Sequence, residues 1–337
     1  MIKVCKKLIM RVGIFGILVL ISGIFLVSQA EAVTLIPPSL EISLTPGQPT
    51  ETKIKLYNET SETLQLYSEP RSFTAKGETG QPEFDFEAEP IGLGNWMEVE
   101  IGPIILEPGE RSEIPVIINT PIDADPGGHY ASLFFGSTPP DPTGGGQVSI
   151  ASKIGTLILG RVDGDVVEAG SIAEFDLSSD KTSFNRLPIE FFVRYENTGN
   201  VHLRPAGEIV LKGMTGKQVA TIEVNASKGA TLPKTIRKYE AIWEKGQVKA
   251  SGDGFFASFF DEYTNERNNF ACGKYTATVT ITGGTEIATD TGTLTFWVIP
   301  WHIITVWGVV GILAILLLIL LVKRYNTWIR KKAKEQK

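Results

Sequence analysis

Ile189–Asn200 reads IEFFVRYENTGN. Ile189, Phe191, Val193 and Tyr195 take alternate positions, with Glu190, Arg194 and Glu196 between them, the two-residue period of a half-buried strand. The run stops in Asn197-Thr198-Gly199-Asn200, residue types that supply tight turns and positive φ. Lys53–Thr60, KIKLYNET, repeats the arrangement: Ile54 and Leu56 share a face, and the strand ends at Asn58-Glu59-Thr60. Each half later opens a strand with Gly-x-Tyr, at Gly128-His129-Tyr130 and at Gly273-Lys274-Tyr275. The asparagine-to-tyrosine spacing is 72 residues in the first half and 78 in the second. In an immunoglobulin-like sandwich a tyrosine at the start of strand F bonds back across a corner. The spacing therefore makes Lys53–Tyr57 and Ile189–Tyr195 the B strands, and Tyr130 and Tyr275 the corner tyrosines of F. Asn197 and Gly199 are read as turn residues, with Gly199 at positive φ.

Other segments follow the same period. Leu64 and Leu66, then Met97, Val99 and Ile101, then Ile114, Val116 and Ile118 alternate in the first half. Ile209 and Leu211, Ile222 and Val224, Tyr275 to Ile281, and Leu294 to Val298 do so in the second. Pro-Gly turns punctuate them at Pro46-Gly47, Pro108-Gly109 and Pro126-Gly127. The junction between halves falls in Arg161–Ser171, which has no Pro- or Ser-rich run, so the halves are expected to be closely coupled.

Ile303–Val322, IITVWGVVGILAILLLILLV, carries no charge. A helix of about 20 residues is about 30 Å long, the thickness of a bilayer's hydrocarbon core. Lys323 and Arg324 follow at once, and the tail to Lys337 holds seven bases against one acid, which places it in the cytoplasm. Trp297, Trp301 and Trp307 mark the opposite interface. At the N-terminus, Lys3, Lys6, Lys7 and Arg11 precede the apolar Val12–Val27, and Ala30-Glu31-Ala32 is a small-x-small site. This is the pattern of a secretory signal, cleaved after Ala32 or Ala30.

The intervening Val33–His302 holds 21 Lys and Arg against 36 Asp and Glu. A surface this acidic repels phosphate backbones, so nucleic acid is not an expected partner. Cys272 is the one cysteine of that segment, so an intrachain disulfide is ruled out there, and a buried filler role is expected. No Gly-x-Ser-x-Gly elbow, His-Glu-x-x-His helix, phosphate loop or dinucleotide glycine pattern occurs. No enzymatic activity, cofactor or metal is expected. Glu83–Glu89, EFDFEAE, reads as an edge strand with an acidic outer face, with calcium as the functional alternative.

The order of parts resembles the WxL-interacting protein family of Gram-positive cell surfaces. The resemblance rests on Leu106-Glu107-Pro108-Gly109, the Ile114–Ile118 strand, Asn119-Thr120-Pro121, the Asp125–Gly136 run, and in the second half Tyr195–Asn200 and Val201–Pro205. It implies a peptidoglycan-binding first domain, a second domain that binds a host or partner, and partners with Trp-x-Leu motifs. None of the six Trp residues here is followed two positions later by Leu, so the chain is similar to the receptor.

The expected fold is all-β: two tandem immunoglobulin-like antiparallel β-sandwiches, residues 33–165 and 166–300, then a single transmembrane α-helix, 303–322. A signal peptide, 1–32, precedes them and a basic cytoplasmic tail, 323–337, follows. The expected function is a non-enzymatic binding or scaffold protein, single-pass type I in the plasma membrane, with both β domains outside. Its partners are a cell-wall polymer (peptidoglycan), another surface protein, or both. The alternatives are an assembly chaperone acting by strand complementation and a wall-modifying hydrolase. The candidate binding tip combines Asn58 with the Pro/Gly-rich loop of Pro139, Pro140, Asp141, Pro142 and Gly144. Phe255–Phe260, in the long connection before strand F of the second domain, is expected near the membrane, or else over the domain's own core.

Overall fold

A computed structural model of the chain describes residues 33–139, 153–250, 252–283 and 289–335. Ala30 and Ala32, expected at the cleavage site of a signal sequence, and Pro140, Asp141, Pro142 and Gly144, expected in the binding tip, lie outside these.

The first half builds two facing sheets. One has the order β1 (Val33–Ile36), β3 (Pro49–Asn58), β8 (Arg111–Asn119), β6 (Met97–Val99). The other runs β2 (Ser39–Leu44), β10 (Lys153–Val162), β9 (Gly127–Gly136), β4 (Leu64–Ala75), β5 (Pro82–Phe84), with β7 (Ile104–Leu106) also on β4. This is A-B-E-D against A′-G-F-C, the immunoglobulin arrangement. The chain opens by pairing β1 into one sheet and then switches to the other, where β2 runs parallel to β10. A short helix, α1 (Leu93–Trp96), leads into β6. The alternating residues Ile54, Leu56, Ile114, Val116 and Ile118 from one sheet meet Leu66, Leu133, Phe135 and Ile158 from the other in one core. Burying such a side chain is worth about 1.5–3 kcal/mol, so the core and not surface charge holds the sandwich.

The second half repeats the plan with its own core. β11 (Gly170–Leu177), β13 (Ile189–Asn197) and β16 (Thr235–Trp243) form one sheet. The other is β12 (Ser183–Phe184), β18 (Asp290–Val298), β17 (Gly273–Thr282), β14 (Ala206–Lys212), β15 (Gln218–Val224). Phe191, Tyr195, Trp243, Tyr275 and Phe296 form its aromatic centre. Again the strand pairing with G is parallel, β12 on β18. Both halves are thus immunoglobulin-like sandwiches, and β3, β13, β9 and β17 are the B and F strands.

Two helices complete the chain. α2 (Phe255–Asn268) lies between E and F of the second sandwich, and α3 (Trp301–Glu335) follows β18. Within α3, Trp301–Arg330 is apolar enough to cross a membrane, and none of its most apolar stretch is buried in the molecule. Trp297, Trp301, Trp307, Lys323 and Arg324 are all exposed.

Several expectations change at the residue level. β3 and β4, like β13 and β14, lie in opposite sheets, so Asn58–Thr60 and Asn197–Asn200 are crossovers and not hairpins. Gly199 does not take positive φ. It is required by close approach: a Cβ there would lie 2.2 Å from the Val167 carbonyl oxygen. Cys272 is exposed instead of buried. Of the acidic run only Glu83 and Phe84 are strand, because Asp85 turns the chain by accepting the Glu87 and Ala88 amides.

Candidate binding site on the first sandwich

β9 is apolar on both faces. Ala131, Leu133 and Phe135 point into the core. Tyr130, Ser132 and Phe134 point the other way, level with Phe73, Arg71 and Glu69 of β4 and with Leu159, Leu157 and Gly155 of β10. An outer face of this composition must be covered. The β5 segment covers one part and the second sandwich another.

The β5 segment lays Phe84 and Phe86 onto that face. Phe84 meets Phe134 edge-on at 4.9 Å between centroids, and Phe86 meets Phe134 at 5.4 Å. Phe73 joins at 5.7 Å from Phe84 and 5.9 Å from Tyr130. Gly155 makes room for this box, since a Cβ there would sit 2.6 Å from the Phe134 ring. Between β4, the Glu83–Leu93 segment and the start of β9 a groove of about 920 Å³ stays open. Phe86 remains 43% exposed.

Glu69 sits beside this aromatic box, only 7% exposed on the same face. Its two oxygens accept from Arg71 Nε at 2.8 Å and Lys153 Nζ at 2.5 Å, so one carboxylate holds two cations. Arg71 also donates to the Ala88 carbonyl, which ties the covering segment to the sheet. Both cations sit over the Phe86 ring, Lys153 at 4.8 Å and Arg71 at 6.0 Å from its centroid. Glu83, Asp85, Glu87 and Glu89 rim the groove. Aromatic faces, a guanidinium and several carboxylates together suit a ligand with flat C–H surfaces and many hydroxyl or amide groups. Among the described residues, no group of three His, Cys, Asp or Glu side chains is placed to hold a metal ion. His129 lies against Trp96 at 4.6 Å, with its Nε2 2.9 Å from the Asp125 carbonyl.

The second sandwich closes the other end of this face. Asn200 knits the junction: its side chain donates to the Asp165 and Pro126 carbonyls and accepts from the Val167 amide. The Gly128 amide donates to the Asn200 carbonyl at 2.7 Å. The hairpin between β4 and β5 reaches across. Glu78 accepts from Arg194 through both oxygens, at 2.8 and 2.5 Å, and its carbonyl accepts from the Lys238 amide at the edge of β16. Arg194 holds the Glu78 carboxyl below the usual range. The Arg237 guanidinium lies between Gly80 of the first sandwich and Gly229 of the second, where a Cβ at either would fall inside contact distance. Tyr130 reaches His202 Nδ1 at 3.2 Å. Burial raises the Tyr130 pKa and lowers that of His202, the latter against the pull of Glu41.

Tyr130 is therefore an interdomain residue, not a corner tyrosine. Tyr275 does bond back locally, exchanging hydrogen bonds with the Cys272 backbone. Asn58 does not belong to a binding tip: it is fully buried, and its amide donates to the Glu62, Leu106 and Glu107 carbonyls. Asn197 is equally buried and donates to the Val201 and Thr231 carbonyls. Pro139 is exposed just beyond β9, at the end of the first sandwich away from the junction. The aromatic groove went unread in the sequence. The signal was present, since Tyr130–Phe135 is apolar on both faces and Phe84-x-Phe86 offers the cover.

The sequence matches no protein-family model and no curated protein. Among solved structures it is similar to the class 5 fimbriae chaperone CfaA, with 13% identity and a TM-score of 0.38, over 80% of this chain and 100% of that one. The E. coli chaperone DraB gives 10% identity and 0.35, over 78% and 98%. A PapD-like domain of human CEP192 gives 12% and 0.27, over 41% and 91%. Identities and scores of this size carry no argument about what the chain binds.

Proposed function

We propose that this chain is a non-enzymatic surface-binding protein, held in the plasma membrane by α3, whose first sandwich grips a cell-wall polymer in the groove over β4 and β9. The observation that carries the reading is Phe86, an aromatic side chain left 43% exposed beside two cations and a carboxylate rim. Sugar rings stack on such faces while their hydroxyls bond to the rim, and peptidoglycan offers both sugar and amide groups. The test is retention of the full chain, in detergent, on purified wall material. Phe86→Ser is expected to weaken retention about 3–10-fold, the equivalent of about 0.5–1.5 kcal/mol for one aromatic contact. Retention unchanged by Phe86→Ser sinks the groove as the site, and turnover of wall fragments would overturn the non-enzymatic reading. The orientation is tested with cells. Added protease is expected to remove both sandwiches, and a tag after Lys337 is expected to be unreachable from outside.

A second reading, assembly chaperone, has one specific observation behind it. Residues 153–156 of β10 pair with β9 but not with β2, which begins its pairing at Leu157. The Leu157 amide bonds toward the β2 side, so by the two-residue repeat Lys153 and Gly155 turn their backbone groups to the open edge. An added strand would bond there. Capture of secreted proteins by the full chain, lost on Gly155→Pro and unaffected by Phe86→Ser, would favour this reading over the first.

A further inference from the structure

The phenylalanines of α2 are divided between two environments. By the helical period Phe256 and Phe260 share one side, while Phe255 and Phe259 start the stripe that Glu262 and Glu266 continue. Phe259 turns inward and meets the His302 ring at 5.0 Å. The other three are 78%, 74% and 58% exposed. Three large aromatics left bare on one helix call for a partner.

The place of α2 identifies that partner. Glu266, with no exposed surface, accepts from the His302 and Ile303 amides at 3.0 Å and from His302 Nδ1 at 2.7 Å. It satisfies two of the free N–H groups at the start of α3 and fixes α2 to its first turn. On α3, His302, Ile303 and Val306 are half-buried, while Trp301, Ile304, Thr305 and Trp307 are exposed. That i, i+1, i+4 stripe is what a helix lying alongside covers, and α2 is the element packed there. α2 therefore lies beside the first turns of α3, level with Trp301 and Trp307.

We propose that α2 is a second membrane contact, an interfacial helix whose Phe255, Phe256 and Phe260 enter the outer leaflet. This rests on α3 crossing the bilayer. The exposed aromatics continue the same belt as Trp297, Trp301 and Trp307. α2 carries three acids, Asp261, Glu262 and Glu266, against one base, Arg267, so anionic lipid is not its attraction, and insertion is apolar. Two contacts out of line with one another fix the tilt of the second sandwich, where α3 alone would leave it free to swivel.

The test uses the full chain in phosphatidylcholine vesicles, with Cys5 and Cys272 changed to Ser. Spin labels are placed at Phe256→Cys, at Leu313→Cys within the span and at Ser227→Cys on the second sandwich. Collisions with oxygen and with a water-soluble nickel chelate report immersion. Position 256 is expected to favour oxygen over nickel, between the values at 227 and 313, with no change when phosphatidylglycerol is added. Adding Phe255→Ser and Phe260→Ser is expected to bring 256 close to 227. If 256 matches 227 while 313 is deep, the interfacial helix is overturned and the span stands. If 313 also matches 227, the spanning reading itself fails. Spin–spin broadening at 256 would assign the face to a second copy of the chain and overturn the lipid contact.

Discussion

Asn58 and Asn197 do the same work at the ends of their B strands. Each side-chain oxygen accepts from the backbone two residues on, Thr60 in one case and Gly199 in the other. Each amide then donates to a carbonyl four residues on and to one from a distant segment. A residue that satisfies three buried backbone groups is expensive to remove, because each orphaned group costs about 1–3 kcal/mol. Asn197→Ala is expected to destabilise the second sandwich by about 2–4 kcal/mol, read as a lowered midpoint in denaturant with an unchanged slope. The sequence made the repeat of these asparagines legible through the matched spacing. It did not reveal their burial, because Asn-Thr and Asn-Gly also occur in exposed turns. Gly199 shows the same limit: its need for small size arises from the Val167 carbonyl, which comes from the linker and has no local signature.

Strand alternation was legible wherever one face met water, as in β3, β8, β13 and β17. It was ambiguous where both faces are covered, as in β9, and the candidate site lies on that second face. β10 provides its own check. Gly155 lets the Phe134 ring lie over the sheet, so Gly155→Ala is expected to displace that ring and weaken ligand retention. Overpacking of this kind costs about 1–3 kcal/mol, and the protein is expected to remain folded, as circular dichroism would show. α2 was read as a long connection whose phenylalanines lie near the membrane or over the core, and its helix went unread. Gly254 caps its start without a side-chain hydrogen bond, and the paired phenylalanines obscure the 3.6-residue period. Glu266 makes the helix belong here. Glu266→Ala is expected to speed hydrogen exchange at the His302 and Ile303 amides in the full chain, with β17 and β18 unaffected.

At the scale of the whole molecule, the coupling of the sandwiches follows from contacts between residues 72 to 163 positions apart, which no local pattern announces. Arg194 with Glu78 and Arg204 with Glu41 are ionic contacts across the junction. Arg194→Ala is expected to leave both cores intact and widen the spread of interdomain angles, seen as a broader small-angle scattering profile and faster proteolysis at residues 163–169. His202 adds a pH dependence. Its side chain is 9% exposed against 48% for the Glu41 carboxylate 3.5 Å away, so burial outweighs the attraction. The folded chain then takes up this proton less readily than the unfolded chain, where histidine has a pKa of about 6.5. Stability is expected to be level above that pH, to fall as the pH drops below it, and to level off once the folded His202 is also protonated. Thermal midpoints of the full chain should show this fall, and His202→Gln should remove it.

The parallel strand at the end of the second sandwich has a mechanical consequence. β18 runs into α3 through only Ile299 and Pro300, so with α3 in a bilayer, as proposed, any tension between the bilayer and a distant anchorage enters the fold along β18. That strand is held on both sides, by β17 along its length and by β12 at its last residues. The Trp297 amide donates to the Thr182 carbonyl and the Ile299 amide to the Phe184 carbonyl, right at the exit. Tension along the strand is perpendicular to these bonds, so it shears many of them together instead of peeling them one at a time. A tether built this way bears load best in the direction in which the membrane would pull it.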